Sequence, residues 1–258
     1  MSRGQADFTF ADSLLECKQY KRAALEYERQ SLNSTTVEQM ARAMFSKSLA
    51  YKKDSLFLKA AQTLQRVPLE AQNKVSFYYE KALCYYLAAN FDKAQETIND
   101  MYENMDSLSD FTSVLPLQVL VLNELNKYNE AKVKLQQMQK LNIISSQKAA
   151  RLNALYSKPP KLKSQKIGHI LSFVPGLGHI YAQEYLKGTF AFLLNASVLT
   201  FGVYQAVNGY YLTAYLAGAS ILSGTYFGSM KRSELLINRY NYIHTRQFNN
   251  KVRQVLFE

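Results

Sequence analysis

Apolar residues in the first 157 positions recur at spacings of three and four, as on helices that bury one face. Residues 77–87 and 115–125 show this stripe most clearly. The stripes are interrupted by the polar stretch 33–36, which offers N-cap side chains, and by the Val67-Pro68 pair. The pattern predicts an all-α fold of successive amphipathic helices.

A second pattern repeats within this region: an aromatic residue is followed three positions later by alanine. The four aromatics are spaced 37, 34 and 37 residues apart, and the pairs are Tyr20 with Ala23, Phe57 with Ala60, Phe91 with Ala94, and Tyr128 with Ala131. A period near 34 is typical of a helix–turn–helix repeat. We expect each aromatic to begin the second helix of a pair, with the small alanine allowing close packing. Residues 1–157 are thus predicted to form four helix pairs and a final capping helix near residues 146–156.

The stretch Ala-Asn-Phe-Asp-Lys-Ala at residues 89–94 resembles the turn of the tetratricopeptide repeat family, and the resemblance covers about residues 8–140. The family's turn glycine is replaced here; the positions are Cys17, Asp54, Ala88 or Ala89, and a residue near Leu125. The resemblance implies a concave surface that binds a protein partner. Candidate groove residues are Lys18, Lys47, Lys81 and Tyr85. The alternative is an array that serves only as a spacer.

Composition changes after Ser157. Residues 158–166 form a basic linker broken by two prolines, and residues 188–230 contain no charged side chain. The Asn208-Gly209 pair divides this window into apolar runs of nearly the 20 residues that span a bilayer. We therefore expect a membrane domain at 167–230 with a two-helix transmembrane hairpin, rather than a buried hairpin of a soluble protein. A small-residue ridge for helix packing is predicted at Ser220, Gly224 and Gly228.

The segment before the hairpin is apolar but interrupted by proline and glycine. It carries the turn motif Pro175, Gly176, Gly178, His179 and Tyr181. We interpret it as an interfacial or re-entrant segment, with a short third span as the alternative. The motif resembles a Pro-Gly-x-Gly-Gln-x-Tyr turn ahead of paired helices in bacterial membrane domains, with His179 in place of glutamine. This resemblance extends over about residues 167–241 and implies architecture without an assigned activity.

Charge indicates which surfaces the chain meets. The net charge is +11, and the tail at 231–258 holds six basic and two acidic residues. Because this tail follows a membrane anchor, we expect anionic lipid headgroups rather than nucleic acid as its partner. The positive-inside rule places the repeat domain in the cytoplasm, at a bacterial inner membrane. Removal of an N-terminal signal peptide would place it in the periplasm instead.

No sequence motif predicts catalytic chemistry. The chain contains no nucleotide-binding glycine loop, HExxH or Gly-x-Ser-x-Gly pattern. Cys17 and Cys84 lie at apolar helical positions, so both are expected to be small buried residues. We expect no catalytic, cofactor or metal site, and no enzyme.

Two functions remain open at this level. The first is a membrane-anchored scaffold or adaptor that binds a protein partner, for example in envelope protein assembly. The alternative is an insertion or transport accessory in which the hairpin is the active module. Either is compatible with a homo-oligomer.

Overall fold

The computed structural model describes residues 8–68, 70–104 and 111–258. Within these ranges the chain is helical and contains no strand, which confirms the predicted all-α class. It divides into two compact units, Met1–Ser157 with Val252–Glu258, and Lys158–Lys251.

The helices of the first unit begin where the aromatic pattern predicts. Tyr20, Phe57, Phe91 and Tyr128 are each the first residue of a helix, and the alanine three positions later is fully buried in all four. The helices are α1 Thr9–Glu16, α2 Tyr20–Asn33, α3 Val37–Lys53, α4 Phe57–Leu64, α5 Lys74–Leu87, α6 Phe91–Glu103, α7 Leu115–Glu124, α8 Tyr128–Lys140 and α9 Ser146–Tyr156. Successive helices contact one another. The last coincides with the helix predicted near residues 146–156, and Ser145 caps its N-terminus.

The turns inside the four helix pairs share one backbone conformation. In each turn one residue is left-handed, with φ of 56–59°: Lys18, Ser55, Ala89 and Asn126. The next N–H reaches five residues back; for example, Asn90 N donates to Tyr85 O at 2.9 Å. This is the Schellman ending of a helix, where glycine is the usual left-handed residue. All four positions here carry side chains.

Two cores stabilise this unit. Around Tyr27, α1 to α3 bury Phe8, Leu14 and several alanines. A second core joins α4 to α7 around Ile98 and Met101. Thr36 caps α3 by accepting a hydrogen bond from Gln39 N, as the polar break at 33–36 predicts.

The last seven residues of the chain belong to this first unit. Val252 is fully buried, and Val255 and Leu256 are nearly so. Arg253 donates to Tyr86 Oη at 2.6 Å, and Arg151 pairs with Glu258 at 2.7 Å. The sequence pattern assigned these residues only to a basic tail at 231–258.

The second unit contains the linker and the apolar helices. Its elements are α10 Gln165–Leu171, α11 Leu177–Tyr181, α12 Tyr185–Val207, α13 Tyr211–Thr213, a π-helical segment Ala214–Ala219, and α14 Ser220–Phe257 as far as Lys251. The linker is held by paired hydrogen bonds between the Lys163 backbone and the Asn241 side chain, at 2.7 and 2.9 Å.

One helix among the described residues is long and apolar enough to cross a membrane. This helix is α12, and only 6% of its apolar 18-residue stretch is buried. The second apolar run predicted at 210–230 is also helical, but it is divided among α13, the π-helical segment and the beginning of α14.

Candidate functional site

The two glycines of the turn motif have packing roles. Gly176 has φ of +92°, and a Cβ there would collide with the backbone oxygen of Gly188 in α12. A Cβ on Gly178 would collide with the hydroxyls of Ser172 and Ser233. Glycine at both positions therefore lets α11 lie directly against α12 and α14.

His179 and Tyr181 connect the motif to the rest of the second unit. His179 is 1% exposed, and its Nδ1 lies 3.0 Å from Ser233 Oγ. In the tautomer with its proton on Nδ1, His179 donates to the Ser233 hydroxyl, which in turn donates to Ser229 O at 3.0 Å. Tyr181 Oη accepts from Ser164 N at 3.0 Å. The motif that was predicted to be a membrane turn thus connects the linker and α14 to α11 by hydrogen bonds.

The charge state of His179 follows from its surroundings. Burial, and then the positive charges of Arg232 and Lys187, lower the pKa of His179, while Glu184 opposes them. Since the ordinary value is 6.5, the ring is neutral at pH 7. The same two cations line a groove beside His179.

A groove of about 590 Å³ lies between α12 and α14, beside His179. Its charged lining residues are Lys187 on α12 and Arg232 on α14. Its apolar wall is formed by Leu186, Phe190, Ala191 and Leu194, and its remaining lining residues are Asn195, Thr225, Gly228 and Ser229. No aspartate or glutamate is among the described residues that line it.

The groove has a charged end and a closed polar end. Thr225 Oγ1 donates to Asn195 Oδ1 at 2.9 Å, which joins α12 to α14. Lys187 precedes Asn195 by eight residues, so along the helix axis the two lie about 12 Å apart.

The predicted packing ridge is wrong for the contact between α12 and the returning helix. An added Cβ on Gly224 or Gly228 would meet nothing within 4 Å, and Ser220 is exposed. The close approach is instead between Gly202 and Gly218, where a Cβ on Gly202 would lie 3.0 Å from the Gly218 Cα. Gly218 lies in the π-helical segment, where the chain departs from the regular α-helical spacing on which the ridge was predicted.

The four predicted groove residues of the first unit differ in burial and do not share one surface. Lys18 is exposed in the turn after α1, and Tyr85 is buried in the second core. Lys47 is buried and paired with Glu28 at 2.5 Å. Lys81 is half-buried, lies over the Tyr78 ring, and lines a small cavity of about 60 Å³ with Phe77. Burial lowers the pKa of Lys81.

An ion-pair cluster on Glu28 was not apparent from the sequence. Arg66, just beyond α4, donates to both carboxylate oxygens, at 2.9 and 3.2 Å, while Lys47 donates from α3. Burial raises the pKa of Glu28, but the hydrogen bonds from Arg66 and Lys47 outweigh it and the net shift is downward. The three residues are far apart in sequence, so no local pattern marks them.

The cysteines differ from each other. Cys84 is buried as predicted, and burial raises the pKa of its thiol to about 12. The prediction for Cys17 is wrong: it is exposed, because α1 ends at the preceding residue. Within the described ranges, no three His, Cys, Asp or Glu side chains are grouped as metal ligands would be.

Comparison with protein-family models, curated proteins and solved structures found no match to this chain.

Proposed function

We propose that this protein is a membrane-anchored adaptor. In this proposal α12 and the helix that returns from it form a transmembrane hairpin, and the first unit binds a protein partner. The observation that carries the proposal is the exposure of apolar side chains along α12. Leu186 is 89% exposed, Phe190 68% and Val207 82%. Surfaces of this extent and apolarity require a bilayer or another protein to cover them.

Three features support the hairpin. Gly209, with φ of +82°, ends α12 and turns the chain back. Gly202 then meets Gly218, and Asn195 meets Thr225, so the two arms pack closely and satisfy their polar groups. Basic residues precede and follow the hairpin, at 158–166 and from Lys231 onward. This arrangement favours both ends on the cytoplasmic side, close to anionic headgroups.

The adaptor role of the first unit is supported by its resemblance to tetratricopeptide repeats and by its packed helix pairs. Stacks of this kind present extended surfaces that bind other proteins. Lys81 with Phe77 and Tyr78 offers a cation beside aromatic rings, which are residue types common in protein interfaces. We place the partner contact at this cavity.

Membrane anchoring is tested by alkaline carbonate extraction of membranes that contain the full chain. We expect the protein to stay in the membrane pellet, because the hairpin is held by the hydrophobic effect rather than by charge. Release into the supernatant would contradict the anchor. Protease treatment of spheroplasts, with a tag at each terminus, then tests sidedness. Protection of both tags supports the cytoplasmic placement, and digestion of the N-terminal tag places the first unit outside.

Partner binding is tested with a photo-crosslinking amino acid placed at Lys81 in the full chain. The matched position is Lys59, an exposed lysine on α4 of the same unit. We expect a discrete crosslinked band from position 81 and none from position 59. The same bands from both positions, or no band from position 81, would favour a spacer role for the helical array.

A further inference from the structure

We propose that the groove between α12 and α14 binds one anionic phospholipid, with its phosphate at Lys187 and Arg232 and an acyl chain along Phe190 and Leu194. This inference rests on the membrane placement proposed above. It goes beyond anchoring because it assigns a stoichiometric ligand site to the second unit. The sequence patterns did not predict a binding site at Lys187 and Arg232 or at the apolar wall beside them.

The first argument is the charge at the open end of the groove. Lys187 is paired with Glu184 at 2.9 Å, whereas no ion pair joins Arg232 to a carboxylate among the residues that the structure describes. Its guanidinium therefore retains a fork of donors that matches a phosphate. With no acidic side chain in the lining, the groove is complementary to an anion.

The second argument is the apolar wall that continues from these cations. Phe190 and Leu194 follow Lys187 on the same side of α12, at helical spacings of three and seven. Gly228 faces them from α14 and has open space where a side chain would begin. The groove, about 12 Å long from Lys187 to Asn195, therefore joins an anion-binding end to an apolar slot.

The combination selects a lipid rather than a free anion. Inorganic phosphate would use Lys187 and Arg232 but leave the wall at Phe190 and Leu194 uncovered. A neutral apolar molecule would cover the wall but leave the Arg232 donors without an acceptor. An anionic phospholipid satisfies both, and at a membrane surface it is present at high local concentration.

The test uses the full chain in nanodiscs and native mass spectrometry after release. Phosphatidylglycerol is offered in an excess of phosphatidylcholine, and the retained lipid is counted for each protein. We expect one phosphatidylglycerol per chain, retained at least roughly tenfold in preference to phosphatidylcholine, as for a charge-assisted site. Equal retention of the two lipids would overturn the proposal.

Two pairs of variants locate the site. Arg232→Gln should remove the preference, whereas Lys231→Gln, an equal loss of charge at the neighbouring exposed position, should keep it. Gly228→Leu should block the slot, whereas Gly224→Leu adds the same side chain outside the groove and should not. Equal losses within either pair would show binding by general surface charge or general disturbance, and would overturn the assignment.

Two further outcomes separate the ligand sources. Displacement of the retained lipid by millimolar inorganic phosphate would identify a free anion as the ligand and overturn the lipid assignment. Failure of the chain to enter nanodiscs of any composition would reject the membrane placement itself. Entry into nanodiscs without a headgroup preference would reject only the lipid site in the groove and leave the membrane placement intact.

Discussion

The four turns inside the helix pairs of the first unit place side chains in a backbone region that usually holds glycine. Ala89 is the clearest case, because it has φ of +56° and no polar side chain to stabilise the turn. Holding a non-glycine residue in the left-handed region costs about 1–2 kcal/mol of folding free energy. Glycine removes this strain, but it also increases the conformational freedom of the unfolded chain. The turn is therefore a site where stability can be gained.

We predict that Ala89→Gly raises the free energy of unfolding by about 0.5–1 kcal/mol. Thermal unfolding of the full chain in detergent, followed by circular dichroism, measures the change. The control is Ala88→Gly, where φ is −78° and alanine is unstrained, so that stability should fall slightly. A lower midpoint for Ala89→Gly than for the parent protein would contradict the strained turn.

At this scale the sequence marks the small packing residues more clearly than the geometry of the turns. The alanines at 23, 60, 94 and 131 were predicted to allow close helix packing, and all four are fully buried. The expected glycine slots were assigned to Cys17, Asp54, Ala88 or Ala89, and near Leu125. The left-handed residue follows the first, second and fourth of these positions by one, and in the third turn it is Ala89. Because these turns contain no glycine, the sequence does not indicate which residue has a positive φ.

The Glu28 cluster makes part of the stability depend on pH. The pKa of Glu28 is lowered from 4.5 by Arg66 and Lys47, so its contribution is present above that ordinary value and disappears as pH falls through the folded pKa. Because Arg66 is partly exposed, we expect a contribution of less than about 1 kcal/mol. Comparing chemical unfolding at pH 7 and in mild acid measures this dependence.

Glu28→Gln should therefore make the first unit less sensitive to acid than the parent protein, while lowering its stability at pH 7. The matched control is Glu38→Gln, an exposed carboxylate at the start of α3 for which no ion pair is present among the described residues. The cluster would be rejected if the two variants had the same pH dependence.

At the scale of elements, the contact between the two arms of the hairpin depends on backbone proximity. The Gly202–Gly218 approach leaves no room for a side chain, and Gly218 lies in the π-helical segment Ala214–Ala219. A widened turn of this kind changes the phase of the helix relative to a regular α-helix. The prediction from sequence used the spacing of a regular α-helix. It therefore found the apolar runs but assigned the contact to Gly224 and Gly228.

We predict that Gly202→Leu separates the two arms and lowers the midpoint of unfolding in detergent by an amount equivalent to about 1–3 kcal/mol, as overpacking does. Gly224→Leu, with open space around the added Cβ, should leave the midpoint nearly unchanged. Titration with a denaturing detergent, followed by helicity, provides the measurement. Equal midpoints for the two variants would reject the Gly202 contact.

At the scale of the whole molecule, the first unit is built from both ends of the sequence. A boundary near Ser157 was visible from composition, since the basic, proline-containing linker begins there. The return of residues 252–258 to this unit was not visible, because a seven-residue segment of mixed apolar and polar side chains (VRQVLFE) carries no distinctive pattern. Val252 and Leu256 are four residues apart on one helical face, but the surface that buries them exists only after folding.

Deletion of residues 252–258 should therefore destabilise the first unit although it leaves residues 1–157 intact. Loss of a buried Val252, Val255 and Leu256 removes apolar contacts of a kind that cost about 1–5 kcal/mol each when truncated. Hydrogen exchange of α5 and α7 in the full chain and in the deletion measures the effect, because Arg253 bonds Tyr86 and Glu124 on those helices.

Leu256→Ala should reproduce part of the loss, whereas Phe257→Ala, at an exposed neighbouring position, should not. Unchanged protection in the deletion would show that the unit is complete without these residues. Increased exchange would mean that any version of this unit made for partner studies must include them.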